Sequence, residues 1–292
     1  MVLLVACSGT DARSATVGTN APDATGAPEP APTSAMPSTS TAPVVAGPNT
    51  PPRPPPNATV APTSTTPPAG TQGSLAGKVV VLDPGHNEHN SAHATEINQQ
   101  VDVITERKAC DTTGTATNDG YSEAAFTTDV ANRVSQQLRS LGATVVTTRD
   151  ASTPWGPCIT ERAAIGNAAH ADLAISIHAD GGPAGGRGFH IIRPGLVAGH
   201  NDAIIAPSAA FATVLHDVYA SETALPPATY VGTNGYDTRT DLGGLNLSTV
   251  PKVFIECANM RNATDAAFVT SEVSRARIAQ AISDAIDRYL AG

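Results

Sequence analysis

The chain has 292 residues, of which 17 are Lys or Arg and 26 are Asp or Glu, and its net charge at pH 7 is −9. An acidic chain does not supply the basic face that phosphate contacts require, so we expect no nucleic-acid partner. The composition is uneven along the chain, and only part of it can bury a hydrophobic core.

Residues 1–7 resemble the end of a bacterial signal peptide, in which residues 3–6 precede a lipobox cysteine, Cys7. The alternative is an ordinary cysteine near a misplaced start. Only six residues precede Cys7, too few for a charged region and a complete apolar region. We expect a truncated signal segment and an exported, lipid-anchored protein at the extracytoplasmic face of the cell envelope. Membrane contact is expected only through this anchor.

Residues 8–75 consist mainly of Pro, Ala, Thr and Ser and contain few large apolar side chains. Such a segment cannot bury enough surface to offset its ordering entropy, so we expect a disordered linker with polyproline character. Residues 76–292 are long enough for one well-packed domain. We expect a monomer, because the sequence contains no exposed apolar heptad repeat.

A buried strand is predicted over residues 78–82, where Lys78 precedes an uninterrupted apolar run. An Asp-Pro-Gly turn follows and presents His86 at the carboxyl end of the strand, where open α/β sheets bind their ligands. His89 and His93 follow at helical spacing and could form a local metal cluster with His86. The preceding Pro-Gly and two nearby asparagines favour a loop over a helix, which argues against that cluster.

Cys110 and Cys158 both lie in segments predicted to be loops. In an oxidising compartment we expect them to form a disulfide, worth roughly 4 kcal/mol for a loop of about 50 residues in the chain-entropy model. In a cytosolic protein they would be two free thiols. Cys257 lies within a predicted strand and is expected to be a small buried hydrophobic residue.

A helix is predicted from about residue 123 to residue 141, because apolar residues recur there at helical spacing and Gly142 can end it. Glu123 lies in the first turn. An acidic residue at this position is favoured by the helix dipole, and the same carboxylate could also be a metal ligand. The periodicity alone leaves both interpretations open.

Strands and helices alternate in the rest of the domain. Strands are predicted over residues 143–149, 173–177, 187–192 and 251–256, and helices over 159–170, 203–222 and 264–290. This alternation is typical of a single α/β domain with a twisted, largely parallel central sheet flanked by helices. Residues 229–250 are rich in Gly, Asn and Thr, and we expect the substrate groove there. We expect His190 to flank a strand or face solvent, and His216 to lie at the surface.

Two of these strands end, like the first, at residues capable of metal or acid–base chemistry, namely His178 and Glu256. The carboxyl ends of parallel strands share one edge of a sheet, so we expect both residues to lie near His86. Histidines and a carboxylate suit Zn²⁺, which commonly keeps three protein ligands and leaves one position for water. Glu256 could then take a proton from that water and pass it to a leaving nitrogen.

Four motifs follow one another along this part of the chain. They are Val-Leu-Asp-Pro-Gly-His at 81–86, Arg-Ala-Ala at 162–164, Ala-Asp-Leu-Ala-Ile-Ser-Ile-His-Ala-Asp at 171–180, and Pro-Lys-Val-Phe-Ile-Glu at 251–256 followed by Asn262. In content and order they resemble the zinc-dependent N-acetylmuramoyl-L-alanine amidases of the Amidase_3 type. The resemblance covers about residues 78–290.

The resemblance implies that His86, Glu123 and His178 are the ligands of one zinc ion per domain and that Glu256 is the catalytic carboxylate. It therefore favours the ligand interpretation of Glu123. Asn262 would be a supporting residue that shapes the pocket at the strand ends. The implied reaction is hydrolysis of the amide bond between N-acetylmuramic acid and L-alanine, with peptidoglycan or a muropeptide as substrate.

Two other functions remain open at this point. One is a zinc peptidase of the same fold that cuts within the stem peptide, and the other is a catalytically silent envelope-binding protein. The pairing of Cys110 with Cys158 resembles actinobacterial members of the family, and the sequence contains no recognisable wall-binding repeat. Some relatives are autoinhibited by an inserted carboxylate, for which Glu222 or Asp241 could be argued.

Overall fold

A six-stranded sheet forms the centre of the computed structural model, which describes residues 73–292. The strands in chain order are β1 (Val79–Pro84), β2 (Gln100–Asp102), β3 (Arg107–Ala109), β4 (Thr144–Thr147), β5 (Leu173–Asp180), β6 (His190–Pro194), β7 (Tyr236–Arg239) and β8 (Lys252–Asn259). The order across the sheet is β4-β1-β5-β8-β6-β7, and β2 and β3 form a separate antiparallel hairpin. Within the sheet all pairs are parallel except β6 with β8, which confirms the predicted α/β class with a largely parallel sheet.

Seven α-helices accompany the sheet in the described part of the chain. They are α1 (Ala94–Ile97), α2 (Glu123–Ser140), α3 (Ile159–Ala168), α4 (Asp202–Thr223), α5 (Gly243–Asn246), α6 (Ala263–Thr270) and α7 (Glu272–Ala291). The three long helices α2, α4 and α7 pack against one another and against one face of the sheet. By length and composition alone, α4 could cross a membrane, but in the structure it packs against α7 and β6.

The two faces of the sheet have different neighbours, because side chains alternate along each strand. Val80 and Leu82 of β1 point into the large core under α2, α4 and α7. Val81, between them, belongs to a smaller cluster on the opposite face, together with Ala174 of β5. His178 is four residues from Ala174 and therefore lies on this second face, at the carboxyl end of β5.

Several predicted elements differ from the structure in their bounds. The helix predicted over 264–290 is two helices, because Ser271 has an extended backbone and its side chain caps α7 by accepting a hydrogen bond from the Ser274 amide. The irregular segment 229–250 contains β7 and α5, and the loop after His86 contains the β2–β3 hairpin. The predicted signal segment, Cys7 and residues 8–72 of the predicted linker lie outside the described residues. The predicted boundary at residue 75 is wrong, because Leu75 is fully buried in the main core and belongs to the domain.

The predicted environments of two histidines are wrong. His190 is only 3% exposed, because it starts β6 between β8 and the segment around Tyr230. His216 on α4 turns its ring inward, where it stacks on Tyr236 with a centroid distance of 4.7 Å. Both positions are polar in sequence, and only the neighbouring elements bury them.

Candidate metal centre and active site

The turn after β1 carries His86 and is held by two buried arginines. The carbonyl oxygen of Pro84 accepts hydrogen bonds from Arg149 at 3.0 Å and Arg162 at 2.7 Å. Arg149 also donates to the oxygen of Gly85 at 2.8 Å, and Arg162 donates to the oxygen of His86 at 3.0 Å. His86 has a φ of 57°, a left-handed conformation that is uncommon for residues other than glycine. The arginine donors therefore hold a backbone conformation that the chain would not adopt unaided.

Gly85 lies in close contact with the imidazole of His178. A Cβ atom at position 85 would be 2.3 Å from Cε1 and 2.5 Å from Nδ1 of His178. The His178 ring also stacks on Phe254, with a centroid distance of 5.3 Å and an interplanar angle of 18°. The turn thus needs glycine immediately before His86, because any side chain would displace the ring of His178.

His86, Glu123 and His178 converge at the carboxyl edge of the sheet. Nε2 of His86 lies 3.1 Å from Oε2 of Glu123, and Nδ1 of His178 lies 3.0 Å from Oε1 of the same carboxylate. One potential ligand atom from each residue lies within 4.8 Å of the other two. These residues come from the β1 turn, the first turn of α2 and the end of β5, so the cluster forms only when the sheet and α2 are assembled.

The Glu123 carboxylate is oriented by its backbone neighbours. Oε2 accepts a hydrogen bond from the Thr115 amide at 3.0 Å, and Oε1 accepts one from the Ala179 amide at 3.1 Å. Burial alone would raise the pKa of Glu123, but His86 and then His178 stabilise the ionised form and hold the pKa far below its usual value. Burial likewise opposes protonation of His86, but the charge and hydrogen bond of Glu123, the charge of Asp111 and the backbone of Thr112 together raise the pKa of His86. The site therefore favours a charged carboxylate between two imidazoles.

The second ring nitrogen of His86 is also fixed. Nδ1 lies 3.1 Å from the backbone oxygen of Thr112 and 3.1 Å from its hydroxyl oxygen. A hydrogen bond from Nδ1–H to the carbonyl leaves Nε2 as the lone-pair nitrogen facing Glu123, which is the tautomer that a metal requires. The structure thus presents Nε2 of His86 as a ready ligand.

A buried network of charges lies beneath the cluster. Asp83 accepts hydrogen bonds from Arg162 at 3.0 Å and from Lys252 at 2.9 Å, and Arg162 also donates to Asp111 at 2.9 Å. All four side chains are at most 5% exposed. Such groups are stable in an interior only as partners of one another, so the network ties β1, β8, α3 and the segment after β3 into one rigid base.

Glu256 lies on β8, in register with His178 of the neighbouring parallel strand. Its Oε2 atom is buried and has no hydrogen-bond partner among the described residues. Burial raises the pKa of Glu256 well above its usual value, and the negative charges of Glu123 and Asp180 raise it further. A raised pKa lets the carboxyl group hold a proton more readily than an exposed glutamate does, which is a property that suits general acid–base catalysis.

Two cavities open beside the cluster and share His86, His178, Leu242 and Phe254 as lining residues. The larger, of about 420 Å³, extends towards the β2–β3 hairpin, and the smaller, of about 320 Å³, extends towards Glu256. Arg239, Leu242 and Gly244 contribute to these walls from the segment in which the groove was expected. Together the cavities form a cleft with the cluster near its middle.

Residues 80–288 match the Amidase_3 family, described as N-acetylmuramoyl-L-alanine amidase. The chain belongs to the Amidase_3 family. The match begins within β1 and ends within α7, so it includes the whole sheet and the residues of the cluster.

Mycobacterial amidases are among the similar proteins. N-acetylmuramoyl-L-alanine amidase Rv3717 of Mycobacterium tuberculosis is 39% identical over 227 residues, which are 76% of this chain and 90% of the relative. The crystal structure of the amidase Ami1 from Mycobacterium smegmatis shares 42% identity with this chain at a TM-score of 0.69. The match covers 74% of this chain and 98% of the Ami1 chain. The crystal structure of Ami1 from Mycobacterium abscessus shares 44% identity with this chain at a TM-score of 0.69. The match covers 74% of this chain and 100% of that structure.

Other residues singled out in the sequence of this Amidase_3 chain lie around the cluster rather than in it. Cys110 and Cys158 form the expected disulfide, and Cys257 is buried with a free thiol. Asn262 caps α6, where its side-chain oxygen accepts hydrogen bonds from the Thr264 and Asp265 amides. His89 and His93 do not join the metal-binding group found among the described residues.

Neither carboxylate considered for autoinhibition faces the cluster. Asp241 pairs with Arg239 and Lys108, both at 2.5 Å, and these partners hold its pKa far below the usual value. Glu222 lies near the end of α4, on the helix side of the sheet. Asp241 therefore connects the β2–β3 hairpin to the segment after β7 instead of blocking a metal.

Sequence reasoning did not single out the residues that support the cluster, namely Asp83, Asp111, Thr112, Arg149, Arg162 and Lys252. Each of them is separated from its partners by many residues; Lys252, for example, is 169 residues from Asp83. The one signal available was the presence of ionisable residues inside otherwise apolar strands, as for Asp83 after the valine run and Lys252 before Val253.

Proposed function

We propose that this Amidase_3 chain hydrolyses the amide bond between the lactyl group of N-acetylmuramic acid and L-alanine of the peptidoglycan stem peptide. It belongs to a family of N-acetylmuramoyl-L-alanine amidases, and its curated relative carries the same name. The observation that carries the proposal is the convergence of His86, Glu123 and His178 on one point, with Glu256 on the adjoining strand.

The donor set and its spacing fit a zinc ion. Zinc binds imidazole nitrogen and carboxylate oxygen at about 2.0–2.1 Å, so two ligand atoms of one tetrahedral ion lie about 3.3 Å apart. The contacts of Glu123 with His86 and His178 measure 3.1 Å and 3.0 Å. We infer that these three residues hold one Zn²⁺. When bound, zinc supplies a Lewis acid that polarises the amide carbonyl and lowers the pKa of water.

Glu256 is the residue that moves the proton in this proposal. Its carboxylate takes a proton from the attacking water and then gives that proton to the departing amine of L-alanine. The charge of Glu123 contributes to the raised pKa of Glu256, and a cation bound to Glu123 offsets that contribution. A bound cation would therefore lower the pKa of Glu256 from its raised value, which would favour its use as base and then as acid.

The cleft supplies the binding surface for a substrate that must extend on both sides of the scissile bond. We infer that peptidoglycan or a muropeptide lies across the two cavities, with the amide carbonyl at the cluster and its nitrogen towards Glu256. The disulfide between Cys110 and Cys158 supports an extracytoplasmic location, because such bonds persist in oxidising compartments. Lipid attachment at Cys7 remains a proposal, which mass spectrometry of the membrane-associated protein would test.

The test uses the full-length protein and purified muropeptides. We expect release of a stem peptide with a free L-alanine amino group and of a glycan that ends in a lactyl carboxylate, both identified by mass spectrometry. Activity should vanish with a chelator and return with Zn²⁺. Glu256→Gln should retain zinc but lose at least about 10²-fold in rate, and Glu222→Gln, on the far side of the sheet, should match the wild type.

Other products would contradict the proposal in defined ways. New amino termini within the stem peptide, with no lactyl-ended glycan, would identify a peptidase. Zinc-loaded protein that binds muropeptides but releases nothing would identify a silent envelope-binding protein.

A further inference from the structure

Glu256 lies in the middle of a row of three ionisable side chains that crosses the sheet. On one side, in the parallel pair of β5 and β8, its partner is His178; on the other, in the antiparallel pair of β8 and β6, its partner is His190. Residues in register on neighbouring strands project from the same face, with Cβ atoms about 4.5–5.5 Å apart in the antiparallel case. The proposed function gives roles to His178 and Glu256 and leaves His190 without one.

His190 and Glu256 share an unmet need for hydrogen-bond partners. His190 is 3% exposed, and its Nδ1 atom has no partner among the described residues. Oε2 of Glu256 is buried and unpartnered in the same way. An unsatisfied buried polar atom destabilises a fold, so two of them on directly opposed residues call for an explanation. One enclosed water that forms a hydrogen bond to each of the two atoms would satisfy both.

The chemistry of His190 suits either protonation state of Glu256. Burial lowers the pKa of His190, although the charges of Asp180 and Asp237 oppose this, so the imidazole is neutral at neutral pH. A neutral imidazole has one N–H donor and one acceptor nitrogen. Its N–H can donate to the enclosed water in both states, while that water donates to the carboxylate form of Glu256 or accepts from the protonated form.

The position of the His190 ring is fixed by its aromatic neighbour. Tyr230 meets it edge-on, with a centroid distance of 6.2 Å and an interplanar angle of 89°. The Tyr230 ring is itself packed on two glycines, since a Cβ at Gly182 or Gly186 would lie 2.4 Å or 2.6 Å from ring carbons. Tyr230 and the two glycines beneath its ring therefore form a well-packed wall beside His190.

We propose that His190 is a positioning residue for Glu256, which it holds through one enclosed water in the orientation that proton transfer requires. His190 contacts neither substrate nor metal and keeps its own proton throughout, so the proton balance of the hydrolysis is unchanged. This inference rests on the proposed function, because it needs Glu256 to be the base.

The test compares His190→Leu with His190→Gln in the full-length, zinc-loaded protein acting on muropeptides. His190→Leu should lower kcat by about 10-fold or more with KM and bound zinc unchanged, because a misplaced base slows chemistry without weakening binding. Its Tm should fall only modestly, because one buried hydrogen-bond connection to Glu256 is lost while the fold is otherwise kept. His190→Gln retains a donor and an acceptor and should recover most of the lost kcat.

His216 provides a matched control on the opposite side of the sheet. His216 lies on α4 and is a second histidine whose ring faces inward. Its Nε2 atom has no hydrogen-bond partner among the described residues, and its ring stacks on Tyr236. His216→Leu should leave kcat at the wild-type value. A similar kcat loss in both leucine variants would show a general packing effect and would overturn the inference.

Other results would also overturn the positioning role of His190. Wild-type kcat in His190→Leu, loss of zinc or of the folded state together with activity, or a His190→Gln variant no better than His190→Leu would each overturn the positioning role. If the wild type itself releases no stem peptide, the proposed function fails and the inference fails with it. If the wild type is active and both His190 variants match it, only the inference fails.

Discussion

Arg162 donates a hydrogen bond from Nη2 to the backbone oxygen of His86 at 3.0 Å. The same guanidinium pairs with Asp83 at 3.0 Å and with Asp111 at 2.9 Å, and Asp111 in turn lies 3.9 Å from Nδ1 of His86. A buried cation on α3 therefore supports a proposed zinc ligand that follows β1. The position of His86 depends on a residue 76 positions away in sequence.

Arg162→Met should destabilise the protein and weaken zinc binding. Removing one partner of a buried charge network typically costs about 3–5 kcal/mol, because Asp83 and Asp111 lose their shared cation. Loss of the contact with His86 should lower zinc affinity by about 10–100-fold. Urea unfolding and zinc titration measure the two effects. Arg277→Met, at an exposed position on α7, should change neither, and equal effects at the two sites would refute the role of Arg162.

Gly85→Ala should disturb the metal centre directly. The new methyl group would lie 2.3 Å from Cε1 of His178, whereas at Gly185 a Cβ would meet nothing within 4 Å. We expect zinc affinity to fall by about 10-fold or more in Gly85→Ala, because the His178 ring must move. Gly185→Ala should bind zinc as the wild type does. Competition with a chromogenic chelator would measure both, and unchanged affinity in Gly85→Ala would contradict the close contact.

Removal of the disulfide should reduce stability and also affect the cluster. Cys110 and Cys158 are 48 residues apart, so the chain-entropy model predicts a loss of about 4 kcal/mol in the free energy of unfolding of the double alanine variant. Thr112, which contacts His86, lies two residues after Cys110. We therefore expect weaker zinc binding as well. A reductant should destabilise the wild type and have no further effect on the variant.

Asp83 should make the stability of the metal-free protein depend on acid pH. Burial raises the pKa of Asp83, but the charges of Lys252 and Arg162 outweigh it and hold the pKa well below its usual value. Because the folded-state pKa lies below the unfolded value of about 3.9, Asp83 stabilises the fold above that pH, and the stabilisation is lost as the pH falls below about 4.

Urea unfolding between pH 7 and pH 2 tests this dependence. Asp83→Asn should be less stable than the wild type at pH 7 and should show a smaller further loss below pH 4, since the titrating group is gone. In Asp119→Asn, at an exposed position, the free energy of unfolding should depend on pH as it does in the wild type. If the free energy of unfolding of Asp83→Asn falls below pH 4 as steeply as that of the wild type, other carboxylates cause the acid sensitivity.

Local patterns were sufficient for much of the site. The apolar runs before His86, His178 and Glu256 predicted three strand ends. The structure places His86 just after β1 and His178 near the end of β5, but β8 continues beyond Glu256 to Asn259. Parallel pairing of β1 with β5 and of β5 with β8 still brings the three residues to one edge. Glu123 was different, because helical periodicity is equally consistent with two roles. The residue could be a metal ligand, or an acidic residue that the helix dipole stabilises. Its place between two imidazoles depends on how α2 meets the sheet, which no local pattern encodes.

The sequence by itself determined the α/β class, the alternation of elements and the residues that could form a metal centre, because strand and helix periods and turn residues act over a few positions. Only the tertiary structure decided which charges are buried together, as with Asp83 and Lys252, and that His190 lies beside Glu256 instead of in solvent. Burial and pairing arise from segments far apart in the chain, so their energetic consequences exist only after the sheet has formed.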